Sequence, residues 1–203
     1  MNWPEWPRER KDIMKSSSKR ITIRSTVFAG LFFLFSATAN AASIAFFDND
    51  TYTDVDQESV NLIASLESLG HTVNVFSGIA AADWETATQA NDLLVIPELD
   101  NGGLFPDLDA EAQDAIFDYV TGGGGLIMFN RTSRTLPVLN GIFGYSLSGS
   151  GRGGSTTLNV AAAAGTAFEG GPATLPPSDA VDTVTTASLP AGALDLYNDA
   201  GDT

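Results

Sequence analysis

Residues 112–129 read Ala112-Gln113-Asp114-Ala115-Ile116-Phe117-Asp118-Tyr119-Val120-Thr121-Gly122-Gly123-Gly124-Gly125-Leu126-Ile127-Met128-Phe129, and the apolar period changes partway through. Ala112, Ala115, Ile116, Tyr119 and Val120 recur at spacings of three and four, which places them on one face of a helix. Asp109 stands ahead of that run as an N-cap, with Glu111 adding negative charge in the first turn. Gly122 to Gly125 stop the helix, and 126–129 is an unbroken apolar run of strand length. A helix delivered straight into a fully apolar strand is the second half of a strand–helix–strand unit. The first half lies just upstream, where Leu93-Leu94-Val95-Ile96 is halted by Pro97.

The same alternation extends toward the N-terminus. Ser43-Ile44-Ala45-Phe46-Phe47 reads as a first strand that stops at Asp48-Asn49-Asp50. In 57–69, Val60, Ile63, Ala64, Leu66 and Leu69 mark a helix, and Gly70 takes the position just past its end. Thr72-Val73-Asn74-Val75-Phe76 is a second strand, and a short helix over 83–89 leads to the third. Continuously apolar strands are those buried on both faces, so the pattern predicts a mostly parallel sheet covered by helices. The expected fold class is therefore α/β, a flavodoxin-like three-layer sandwich preceded by a signal peptide.

Beyond Phe129 the pattern weakens. Leu136-Pro137-Val138-Leu139 with Ile142-Phe143 predicts a short helix ending at Gly144, and 148–155 reads as a glycine-serine loop. Strands are expected over 156–160 and 182–186, with Pro172, Pro176 and Pro177 interrupting the chain between them. The final residues, 199–203, show no closing element, so a later strand is expected to complete the sheet. The domain reading is a signal peptide over 1–41, a core over 42–147, and a truncated Gly/Pro-rich continuation of the same domain over 148–203.

Charge separates the leader from the rest. Of ten basic residues, seven (Arg8, Arg10, Lys11, Lys15, Lys19, Arg20 and Arg24) precede residue 30. Arg131, Arg134 and Arg152 remain, against 22 of the 25 acids. After the basic stretch comes Val27-Phe28-Ala29-Gly30-Leu31-Phe32-Phe33-Leu34-Phe35, then Ser36-Ala37-Thr38-Ala39-Asn40-Ala41. Ala39 and Ala41 form an A-x-A site, which predicts cleavage before Ala42. The competing reading is a membrane anchor over 25–42, a stretch barely long enough to span and weakly apolar in its second half. The A-x-A site favours a cleaved signal and hence a secreted, cell-surface or periplasmic location. No membrane contact is expected after cleavage, unless a C-terminal anchor lies beyond the sequence.

So acidic a domain repels phosphate backbones, which argues against nucleic-acid binding; the acids either keep the surface soluble or attract a cation, a basic partner or a polar ligand. The chain has no cysteine, which excludes disulfides, thiolate nucleophiles and cysteine-ligated metals. His71 is the one histidine. It precedes the second strand, at the sheet edge opposite the usual ligand edge, and is expected to be a loop residue. Gly144-Tyr145-Ser146-Leu147-Ser148-Gly149 lacks the glycine two residues after serine that a nucleophile elbow needs. Gly149-Ser150-Gly151-Arg152-Gly153-Gly154 neither follows the first strand nor opens a helix, so it is read as a flexible loop and not a dinucleotide site. Asn49-Asp50-Thr51 and Asn130-Arg131-Thr132 match the N-glycosylation triplet, a pattern common by chance.

The segments Leu69-Gly70-His71, Val95-Ile96-Pro97 and Tyr119-Val120-Thr121-Gly122-Gly123-Gly124-Gly125-Leu126-Ile127, each placed at a strand or helix junction, carry a family likeness. Over about residues 43–145 the chain resembles the class I glutamine amidotransferase-like superfamily, in particular its exported, non-amidotransferase branch that includes sugar-utilisation proteins of the ThuA type. The resemblance implies the fold and argues against the chemistry. Amidotransferases place a nucleophilic cysteine after a strand, served by a histidine. The ThuA-type branch tends to have a histidine after the fourth strand. Here Asn130-Arg131-Thr132 follows that strand.

Two acidic loops carry the candidate site. Asp48, Asp50, Asp54 and Asp56 follow the first strand, and Glu98, Asp100, Asp107 and Asp109 follow the third. Ligands of open α/β sheets bind beyond the carboxyl ends of the strands where strand order reverses, and in the flavodoxin-type order strands one and three are neighbours there. Asp48, Asp50, Glu98, Asp100, Arg131 and Arg134 are therefore expected to meet at one edge. Oxygen-rich loops suit calcium, with Asp48 and Asp50 as the first-choice ligands, although position six from Asp48 is Thr53 and no EF-hand is present. The competing assignment makes Asp48, Asp54 and Asp56 turn and cap residues and pairs the two arginines structurally. No other cofactor is expected. The function expected is a non-catalytic extracytoplasmic binding or surface-interaction domain. The alternative is a carbohydrate-directed or related hydrolase using Asp48, Asp50, Glu98 and Asp100 as acid and base.

Overall fold

Four strands lie side by side, and every pair is parallel: β1 (Ser43–Phe47), β2 (Thr72–Phe76), β3 (Leu93–Ile96) and β4 (Gly125–Met128), in the order β2-β1-β3-β4. Between them run α1 (Glu58–Ser68), α2 (Ala81–Gln89) and α3 (Ala110–Thr121), and α4 (Thr132–Phe143) follows β4. The structure, a computed structural model, describes residues 41–55, 58–129, 131–151, 154–176 and 182–199. Residues 1–40 of the expected signal peptide and residues 200–203 lie outside these. The chain divides into Met1–Thr38 and Ala39–Thr203, and every described residue belongs to the second unit.

The local signals act where the sequence put them. Asp109 has extended backbone angles and its carboxylate accepts from the Ala112 amide at 2.8 Å, capping α3. Gly70, at φ 89°, ends the turn after α1, and Gly144, at φ 68°, ends α4. Both conformations are costly for residues with a Cβ.

Side-chain alternation divides the core between the two faces of the sheet. Ile44, Phe46 and Val95 pack with Leu62, Ile63 and Leu66 of α1 on one face. Phe47, Leu94 and Ile96 point the other way, into a larger core with Trp84 of α2, Ile116 of α3 and Val138 of α4. Trp84, fully buried, stacks on Phe47 at 5.2 Å and meets Phe76 edge-on at 5.0 Å, while its indole N–H donates to the Ile79 carbonyl. Helices thus flank a parallel sheet on both faces, the layering of a flavodoxin-like sandwich.

Burial on both faces holds for β1 and β3 alone. The two outer strands are less covered, because among the described residues α1 is the one helix packed on its side: Val75 of β2 is 52% exposed and Ile127 of β4 is 45% exposed. Among the described residues, no helix is long and apolar enough to cross a membrane.

The C-terminal third corrects one expectation. The glycine-serine stretch is not all loop. Its residues Gly149–Gly151 form β5, which pairs antiparallel with β8 (Asp182–Val184). The end of the described chain carries a strand, β9 (Tyr197–Asp199), which pairs antiparallel with β6 (Thr156–Leu158); β7 (Thr174–Leu175) lies on the other side of β6. The short helix α5 (Val160–Ala163) follows β6, capped by Asn159. The expected helix after β4 begins earlier than predicted, at Thr132, and includes Pro137.

Candidate functional site at the carboxyl edge of the sheet

All four parallel strands point to one edge, so the segments that leave them are neighbours there. Asn101 ties the loop after β3 to the loop after β1. Its amide nitrogen donates to the carbonyls of Asp50 at 3.1 Å and Thr53 at 2.8 Å, and its backbone N–H donates to the Tyr52 carbonyl at 2.9 Å. The Tyr52 hydroxyl donates to Asp107 Oδ2 at 2.9 Å, a second link between the same loops.

Within this edge Glu58, Glu98 and Asp100 bring carboxylate oxygens within 4.8 Å of one another. Three different local causes place them. Glu58 is the first residue of α1, and the N-terminus of a helix that follows β1 lies at this edge. Glu98 follows Pro97 at the end of β3 and is 4% exposed, inside a run buried from Leu94 to Leu99. Asp100 is two residues on, where its N–H donates to the Glu98 carbonyl at 3.0 Å and turns the chain back.

Arg131, the residue before α4, supplies the counter-charge. Its Nη1 lies 3.3 Å from Glu98 Oε1 and makes a closer contact with Asp100 Oδ1. Arg131 is itself held, since its N–H donates to Thr135 Oγ1, which in turn donates to the Phe129 carbonyl. Arg131 thus pairs with two of the three carboxylates, Glu98 and Asp100. Burial is the main reason that the Glu98 carboxyl is raised to about 7; Asp100 and Glu58 push the same way, and the hydrogen bond and charge of Arg131 oppose them. Near neutral pH the site can therefore hold or release a proton at Glu98, and it offers three oxygen donors of the kind that hard cations take.

The six candidates separate into two groups. Glu98, Asp100 and Arg131 come together. Arg134 instead donates to the Leu99 carbonyl at 2.8 Å and supports the loop from below. Asp48 accepts from Thr53 Oγ1 at 3.1 Å, and its N–H donates to the Phe76 carbonyl, so it serves the turn after β1. Asp50 is exposed, and its backbone carbonyl accepts from Asn101. Neither Asp48 nor Asp50 belongs to the carboxylate group, which among the described residues contains Glu58 in their place. Asp56 and Asn130 lie outside the described residues.

Glu58 was not a candidate from sequence, because an acid in the first turn of a helix is ordinary. Asp182 was also missed. From β8 its carboxylate accepts from the Thr132 N–H at 2.5 Å, capping α4 from a distant part of the chain, next to Arg131. The Ser59 hydroxyl, beside Glu58, is buried without a hydrogen-bond partner among the described residues.

No family model matches the chain, and no curated protein or solved structure matches it at a significant level.

Proposed function

We propose that the chain is an exported, non-catalytic binding module, an α/β domain of the amidotransferase-like kind that lacks that family's catalytic residues. In this reading its acidic rim takes a divalent cation or a polar ligand that carries positive charge. The observation that carries the reading is the convergence of Glu58, Glu98 and Asp100 within 4.8 Å at the carboxyl edge of a parallel sheet. Like charges so close together repel one another, and a bound cation relieves that repulsion. The basic leader with Ala39 and Ala41, and the near-absence of basic residues after it, support export.

Calcium is the probe that tests the site. A ligand present at about 100 times its dissociation constant stabilises the folded state by about 2.7 kcal/mol. Thermal melts of the purified protein are expected to rise with millimolar calcium, to fall back on adding chelator, and to show no calcium response in the double variant Glu58→Gln/Asp100→Asn. No shift in the wild-type protein with calcium or with a panel of cationic small molecules overturns the reading.

One observation favours a second reading, a hydrolase acting on carbohydrate or a related polar substrate. Glu98, with its carboxyl near 7, is suited to give and take a proton. Glu98→Gln separates the two. An enzyme loses turnover on glycoside or ester substrates with its fold intact, whereas a binding module has no turnover to lose.

A further inference from the structure

The backbone nitrogen of Ala42 donates to His71 Nδ1 at 3.2 Å. Ala42 is the last residue before β1, and its carbonyl accepts from the Thr72 N–H at 3.0 Å, so both of its backbone groups are engaged at the start of the sheet. One residue on, the Ser43 N–H and hydroxyl both donate to Asp92 Oδ2, at 2.9 and 3.1 Å. Those bonds hold the Asp92 carboxyl below its usual range. Ala41, the preceding residue, is exposed. The one histidine of the chain therefore spends its Nδ1 lone pair on the entry to the domain, at the edge opposite the acidic rim.

We propose that His71 is the receptor for the N-terminal ammonium group that processing creates at Ala42. The proposal rests on the export reading, because Ala42 follows the small-residue site Ala39-Asn40-Ala41. Hydrolysis by a host signal-processing peptidase breaks the Ala41–Ala42 C–N bond. Water supplies a hydroxyl to the Ala41 carbonyl carbon and a hydrogen to the Ala42 nitrogen, which takes up a further proton. The neutral amide donor already aimed at His71 becomes a cationic donor on the same atom. A charged donor makes a shorter and stronger hydrogen bond than a neutral one. Ser43, the next residue, holds the carboxylate of Asp92. The acceptor must be unprotonated at Nδ1, so His71 carries its proton on Nε2.

The sequence makes the test unusually selective. Residues 42–203 contain no lysine, so over this stretch the Ala42 amine is the one primary amine that processing leaves. The full chain, with its leader, is expressed in a secreting bacterial host, recovered outside the cytoplasm and weighed intact. A mass that begins at Ala42 is expected, and any other first residue overturns the proposal. The processed protein is then acetylated with an amine-specific reagent, which leaves an N–H at Ala42 but removes its charge. Acetylation is expected to lower the melting temperature by about 2–4 °C, and to lower it by less than about 1 °C in His71→Ala. Equal melting of free and acetylated protein overturns the proposal, as does an equal loss in both backgrounds. Should His71→Ala not fold, the side-chain nitrogen resonances of His71 in the unsubstituted protein give the answer. They are expected to move on acetylation, and unchanged resonances count against the contact. Calcium melts on the acetylated protein keep this result separate from the fate of the acidic rim, which lies at the other edge.

Discussion

Arg131 Nη1 and Glu98 Oε1 stand 3.3 Å apart at the carboxyl edge of the sheet, and the glutamate side chain is 5% exposed while the arginine is 39% exposed. The pair is unequal. Arginine keeps its charge in any surroundings, whereas the buried glutamate can relieve its own desolvation by taking up a proton. Much of what the site does with pH, ligand and substitution follows from that inequality.

The first consequence concerns pH. The Glu98 carboxyl, raised to about 7 in the fold, returns to about 4.3 in the unfolded chain. Between those values the folded state holds more protons than the unfolded state, so stability falls as pH rises. The contribution of neutral Glu98 is full below about pH 4.3 and is lost as pH rises through about 7. Glu98→Gln is expected to flatten this part of the stability profile and to melt above the wild-type protein at pH 8. Melts from pH 4 to 8 without added metal check it.

Removing the arginine tests the other partner. Arg131→Met leaves Glu98 and Asp100 without their counter-charge. Because the guanidinium is partly exposed, the expected loss is about 1–2 kcal/mol at pH 8, below the 3–5 kcal/mol of a fully buried pair. At pH 5 the loss is smaller, since Glu98 is then neutral with or without Arg131. Denaturant midpoints at the two pH values measure the difference, and equal losses would show that Arg131 acts through packing.

Asn101 is expected to matter for the geometry of the rim through its two side-chain bonds to the Asp50 and Thr53 carbonyls. Asn101→Ala removes both donors at a cost of about 1–2 kcal/mol. It should also weaken any calcium response of the rim. Asp109→Ala provides the control: it costs about 1 kcal/mol through the lost α3 cap and leaves a calcium response unchanged.

Gly141 gives a prediction in which two effects compete. Inside an exposed helix, glycine to alanine is worth up to about 1 kcal/mol of stability. Here the added Cβ would lie 2.0 Å from the Phe105 ring, so the ring must move. Overpacking of this kind costs about 1–3 kcal/mol, and Gly141→Ala is expected to destabilise. Thermal melts decide the sign.

The alternation of strands and helices in 43–143 was open to reading because its signals are local. Apolar runs of four or five residues, helical spacing, Asp109 before a helix and Gly70 after one each depend on near neighbours alone. The parallel sheet followed from those runs, and with it the shared edge for Glu98, Asp100 and Arg131. Tertiary structure decided the rest. Nothing local tells Glu58, brought into the carboxylate group by the path from β1 into α1, from any acid at a helix start. Asp48 looked equally suited to a ligand but is engaged by the turn hydroxyl of Thr53. The pairing of Gly149–Gly151 with Asp182–Val184, which brings Asp182 to the start of α4, joins strands of three residues, too short to show a period and far apart in the chain. Residue patterns determine which elements form; which carboxylates share a site depends on distances set by packing, and a sequence does not contain those distances until it has folded.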